Sequence, residues 1–125
     1  MKKTKMLKKN YEFKNVLTKG KYYSGHYIEA FIKSNNNKKY NFLGIAVGVK
    51  IGKAVRRNRI KRLLRESYKN IEEKIDVGNS IVFLWKKKAD INNATYQNVK
   101  NDMDKIFEKS KLFIEEIKWK NYLYG

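Results

Sequence analysis

Apolar and polar residues alternate with a period that changes along the chain, and each change marks an element. Phe13, Val16 and Leu17 fall at i, i+3 and i+4, which predicts a short helix. Asn10 is placed to cap it, Glu12 sits in its first turn and Gly20 stops it. HYIEAFIK (26 to 33) and YNFLGIAVGVK (40 to 50) alternate as strands do, with an Asn- and Lys-rich turn between them, and so predict a hairpin. In the second strand Leu43, Ile45, Val47 and Val49 share the core face, while Gly44, Ala46 and Gly48 share the other. Bare backbone on that second face suits either a ligand that approaches closely or a helix that packs closely, and the pattern alone does not choose. A helix follows from Val55 to Glu73 and stops near Asp76 to Asn79, where Gly78 breaks the period. SIVFLWK (80 to 86) is a continuous apolar run, as expected of a central strand buried on both faces. The last helix runs from Thr95 to Phe113 with Tyr96, Val99, Met103, Ile106 and Phe107 on one side, and residues 114–125 either extend it or form a tail.

At 125 residues the chain is expected to form a single domain over 1–125, with residues 1–9 as a basic arm. It contains no cysteine, which excludes a disulfide scaffold, a thiolate metal site and a cysteine nucleophile. No apolar stretch of roughly 7 to 15 residues follows the lysine-rich start, as a secretory signal would require. None approaches the roughly 18 apolar residues of a membrane span. A soluble, cytoplasmic protein with no membrane partner is the expectation.

Charge narrows the class. A formal net charge of +18 repels itself unless an anionic partner is near. The basic residues are spread along the chain among nine Tyr, six Phe and two Trp, a mixture suited to bases that stack as well as phosphates that attract. Nucleic acid therefore fits better than a lipid surface, which calls for an amphipathic helix with bulky apolar anchors.

Within this lysine-rich background all five arginines lie in RRNRIKRLLR, residues 56 to 65. On a helical projection Ile60, Leu63, Leu64 and Ile71 gather on one face, with Asn58, Lys61, Arg62, Arg65 and Lys69 opposite. Arg57, Lys61 and Arg65 also align at i, i+4 and i+8, and no acidic residue lies between positions 30 and 65 to offset them. A guanidinium fork binds two phosphate oxygens at once, where an ammonium acts as a point charge. Concentrating arginine here points to phosphate recognition.

The run VGVKIGKAVRRNRIKRLLRES (47 to 67) resembles the signature of the protein subunit of bacterial ribonuclease P. Ala54, Val55, Arg57, Asn58, Arg59, Lys61, Arg62 and Arg65 match it position by position, and LKKNYEFKNVLTKG (7 to 20) and the GIAV strand extend the likeness. The resemblance implies an α+β sandwich in the order α-β-β-β-α-β-α, similar to the second domain of ribosomal protein S5. It implies a mixed four-stranded sheet and a left-handed βαβ crossover, against the general preference for right-handed connections. It further implies that Arg56, Arg57, Asn58, Arg59, Lys61, Arg62, Arg65 and Lys69 face a catalytic RNA subunit. The single-stranded 5′ leader of precursor tRNA would lie in a cleft lined by Phe13, Leu17, Phe31, Phe42, Gly44, Ala46, Gly48 and Lys50. Tyr27 and Glu29 join on geometry, since they share a strand face with Phe31. Leu17, Phe42, Gly48 and Val49 depart from the residues common in the family at those positions.

No arrangement of residues suggests an autonomous nuclease. His26 is the only histidine and stands at a strand start, and Asp102, Asp104 and Glu108 intermix with lysines as surface pairs do. The expectation is an accessory subunit with no catalytic residue, no bound metal or cofactor of its own and no obligate protein partner. Its partners would be the RNA subunit and precursor tRNA, with Mg2+ serving the holoenzyme. A basic RNA-binding protein of another kind, a ribosomal protein or RNA chaperone, is the alternative.

Overall fold

Five strands order themselves around the most apolar segment of the chain. The computed structural model describes residues 1–114, and the strands are β1 (Thr4–Met6), β2 (Lys21–Ser24), β3 (Ile28–Lys33), β4 (Asn41–Ala46) and β5 (Ser80–Trp85). Their order across the sheet is β1-β4-β5-β3-β2. β1 with β4 and β4 with β5 run parallel, while β5 with β3 and β3 with β2 run antiparallel. SIVFLW therefore takes the centre, as its unbroken apolar run requires, and only Leu84 in it is less than fully buried.

Three helices complete the fold: α1 (Asn10–Lys19), α2 (Ala54–Ile71) and α3 (Tyr96–Ser110). Ile28, Ala30, Ile32, Leu43, Ile81, Phe83 and Trp85 of the sheet meet Ile60, Leu64, Tyr68 and Ile71 of α2 and Val99, Met103, Ile106 and Phe107 of α3. The other face carries Leu7, Val16 and Val82, ringed by half-buried Phe13, Leu17, Phe31, Phe42 and Leu84 beneath α1. The expected α-β-β-β-α-β-α order is present, preceded by one more strand. That strand, β1, lies within the presumed basic arm. Thr4 is buried and shares a 2.6 Å hydrogen bond with the Tyr68 hydroxyl, and the Glu72 carboxylate accepts from the backbone N–H groups of Lys2 and Lys3. These bonds make an edge strand from a segment with little apolar character.

Other boundaries moved for identifiable reasons. Lys9, not Asn10, is the N-cap of α1, and Glu12 Oε1 accepts from the Lys8 and Lys9 N–H groups. β4 ends at Ala46, and the chain turns through a 3-10 segment, Val49–Ile51, leaving Val49 75% exposed rather than in the core. β3 starts at Ile28, because residues 25–27 form the turn from β2. That turn is held by buried Asp102 of α3, whose carboxylate accepts from the N–H groups of His26, Tyr27 and Ile28 at 3.0, 2.7 and 3.1 Å. α3 begins after Thr95, which caps it through the Asn98 N–H, and ends at Ser110, with Lys111 in the left-handed region at φ 59°. The helix does not continue to Phe113, which instead bridges to Ile75. Residues 115–125 lie outside the described residues.

Candidate nucleic-acid interface

The arginine helix is aimed by one of its own arginines. Gly48 and Gly52 bracket the turn that leads into α2, and Arg57 reaches back from the helix to hold it. Its Nη1 donates to the Gly52 carbonyl at 2.8 Å and to the Val49 carbonyl at 3.4 Å. Arg57 is accordingly half-buried, while Arg56, Arg59, Arg62, Arg65, Asn58 and Lys69 are exposed. Asn58, Arg62, Arg65 and Lys69 lie within about 60° of one another, opposite the buried stripe. Lys61 is half-buried on the flank, so the eight residues form a face with shoulders rather than one flat stripe.

The electrostatics of this face are unbalanced. The first turn of α2 holds no acidic residue, and Arg56 and Arg57 stand at the end where the helix dipole is positive. Among the described residues the one ion pair joins Lys100 to Asp104 at 3.0 Å, so no carboxylate pairs with any of the arginines. Cations gathered without counter-charge, at a dipole end that disfavours them, are suited to an external polyanion.

The sheet face under α1 is a different surface. α1 follows one edge strand, β1, and leads into the other, β2, so it crosses the sheet at its middle. Phe13 lies directly on Gly44: a Cβ there would come within 2.6 Å of Phe13 Cε1 and 3.0 Å of Leu7 Cδ1. At Gly44 the bare backbone thus serves close helix packing. At Gly48 it is open, with nothing nearer to such a Cβ than Ile51 Cγ1 at 3.9 Å. Ala46 is half-buried and Lys50 exposed. Phe31 is half-buried, and its ring lies 5.2 Å from that of exposed Tyr22, a neighbour that the sequence reading missed. The Tyr22 hydroxyl donates to Glu29, which raises the phenol above its ordinary pKa.

The predicted cleft residues do not all converge. Phe42 is in register with Ser80, and Ser80 with Lys33, at one end of the strands, whereas Ala46, Leu84 and Glu29 align at the other. Phe42 lines a cleft of about 530 Å³ with Leu7, Tyr11, Lys14, Asn15 and Ser80. Gly48 and Lys50 follow the opposite end of β4, beyond Ala46, which is itself about 13 Å from Phe42 at the rise of an extended chain. Tyr27 does not share the face of Phe31: it precedes β3, and its ring stacks on Trp85 of the larger core at 6.0 Å and 11°. The strand periodicity that grouped it with Glu29 and Phe31 stops at the Gly25 turn.

The acidic residues of α3 do not converge either. Asp102 is turned inward onto three backbone N–H groups, and Asp104 onto Lys100. A carboxylate at the i+3 position from Val99, on the apolar face of its helix, was the one sequence signal for that internal role.

The chain matches the Ribonuclease P family model over residues 1–111. The "Ribonuclease P protein component" of Clostridioides difficile (strain 630) is 34% identical over 113 residues, spanning 90% of this chain and 96% of the relative. That of Fusobacterium nucleatum is 37% identical over 108 residues, 85% and 96% of the two chains. Among solved structures, the RNase P protein of Staphylococcus aureus superposes with a TM-score of 0.76 at 27% identity, covering 87% of this chain and 97% of that one. The protein from Thermotoga maritima gives 0.73 at 27% identity, with 84% and 96% covered.

Proposed function

This chain belongs to the ribonuclease P protein family, and from that membership we propose how its two surfaces divide the work of the enzyme. It is the protein component of a ribonucleoprotein endonuclease, and the ribonuclease P RNA is its partner. In our reading the exposed face of α2 docks on that RNA, with Arg62, Arg65 and Lys69 neutralising phosphates and Arg57 holding the turn that orients them. The half-buried rings of Phe13 and Phe31, with Leu17 and the open backbone at Ala46 and Gly48, take the single-stranded leader of precursor tRNA. The reaction removes that leader in the cytoplasm. The RNA, with Mg2+, breaks the phosphodiester bond, while the protein raises substrate affinity and lowers the Mg2+ concentration needed.

The observation that supports this most directly is the pairing state of the arginines. Among the described residues, four of the five stand exposed on α2 without a carboxylate partner, and the fifth is spent on positioning. The test is cleavage of precursor tRNA at low Mg2+ by the protein alone, the RNA subunit alone and both together. Fast cleavage by the mixture only is expected, with weaker holoenzyme binding when the leader is trimmed. Cleavage by the protein alone, or indifference to the leader, would contradict the proposal.

A further inference from the structure

The four exposed arginines do not occupy one place. Arg62 and Arg65 face away from the core, but Arg56 and Arg59, near the start of α2, border a slot of about 120 Å³. Ile91 and Asn92, from the 3-10 turn that precedes α3, form its far wall, and Ile60 and Ala94, 0% and 1% exposed, lie beneath it. That far wall is braced: Asp90 Oδ1 accepts from the Asn92 N–H at 2.8 Å, the Ala94 N–H donates to the Ile91 carbonyl at 3.1 Å, and the Asn98 side chain donates to the Asn93 carbonyl at 2.9 Å. Ile91 packs so closely on Gly52 that a Cβ there would meet its Cδ1 at 3.2 Å, and the Gly52 carbonyl is the one held by Arg57. The 91–94 wall and the turn before α2 are therefore held within the chain, while the Arg56 and Arg59 side chains are exposed. The side-chain amide of Asn92 is exposed and bonds no other described residue, so it is available to a partner.

These features select one kind of occupant. The slot is of the order of a single nucleobase, and its one accessible aliphatic side chain, Ile91, suits the edge of a ring. Guanidinium planes stack on bases while their charge attracts the adjoining phosphate. A side-chain amide offers the donor and acceptor pair that a base edge requires. A free anion would use the arginines and the amide N–H, but neither the Ile91 side chain nor the amide oxygen, which a base edge can use.

We propose that this slot receives one unpaired nucleotide of the RNA subunit, with its base against the Arg56 and Arg59 guanidinium groups and its edge bonded by Asn92. The inference rests on the reading of α2 as the docking face. It adds a base-recognition position to a surface otherwise described by charge.

The experiment measures affinity of the full chain for the RNA subunit across a range of salt concentrations. Three variants are compared: Asn92→Ala, the charge-preserving pair Arg56→Lys with Arg59→Lys, and the pair Arg62→Ala with Arg65→Ala. Asn92→Ala and the lysine pair should each bind about tenfold more weakly, with the wild-type dependence on salt, because stacking and base-edge bonds release no counterions. One unpaired base of the RNA should be protected from modification by the wild-type protein and reactive again with Asn92→Ala. Wild-type binding by Asn92→Ala and the lysine pair, beside weakened binding and a flatter slope for Arg62→Ala with Arg65→Ala, would overturn the slot and leave the docking face standing. Wild-type binding and slope in all three would overturn both.

Discussion

The exposed face of α2 and the sheet face under α1 differ in how far binding can be separated from folding. Arg62, Arg65 and Lys69 are exposed on α2 and hold nothing else in place, so they are free to serve a partner. Phe13, Leu17, Phe31 and Phe42 are half in the core: they pack on Leu7, Val16 and Val82 with one side and present the other outward. A charged surface can be added to a finished helix, whereas an aromatic cleft is cut from the same residues that hold a layer together. Changes on α2 should therefore alter binding alone, and changes under α1 should alter binding and stability together.

The largest effect lies outside both surfaces, at the β2–β3 turn, and sets the scale for a purely structural loss. Asp102→Ala leaves three N–H groups of the β2–β3 turn without their acceptor and should lower stability by about 3 kcal/mol, measured by urea unfolding. The salt dependence of RNA binding by the folded fraction should be unchanged. On α2, Arg62→Ala with Arg65→Ala should weaken binding to the RNA subunit about a hundredfold at moderate salt and flatten the log-log slope by roughly two units, with the melting temperature retained. Loss of stability in that pair would break the contrast. Gly44→Ala must displace Phe13 and should cost about 2 kcal/mol by the same unfolding assay. Phe31→Ala should weaken holoenzyme affinity for precursor tRNA by about tenfold without a change in slope, and should also lower the unfolding midpoint. Gly48→Ala, on open backbone at φ −61°, should raise stability slightly, by about 0.4 to 1 kcal/mol. A cost at Gly48 equal to that at Gly44 would show that the far end of the strand is also covered.

The same division decides what could be read in the sequence. A helical face is local, so the period of Ile60, Leu64 and Ile71 located the exposed arginines without knowledge of the rest of the chain. The small residues of β4 were visible, but choosing between a packed helix and an open approach needed Phe13, 31 residues earlier, and the answer differs at Gly44 and Gly48. Val49 continued the alternation on paper, yet the ladder with β5 ends at Ala46 paired with Leu84, and the chain turns away. β1 was hidden because Thr4 and Lys5 carry no strand pattern, and their pairing is supplied by Asn41, Phe42 and Tyr68. Arg57 looked like its four neighbours until its guanidinium was found on the chain's own carbonyls. The slot beside Arg56 and Arg59 was illegible for the same reason, since half its wall comes from residues 91–94.

The fastening of β1 sets an order of events during synthesis. Its backbone pairs with residues 41–43, Thr4 bonds Tyr68, and Lys2 and Lys3 donate to Glu72. None of these partners has been made when β1 leaves the ribosome, and the last emerges only after all of α2 has been made. β1 must therefore wait, unpaired and cationic, until the arginine helix has been made to seat it.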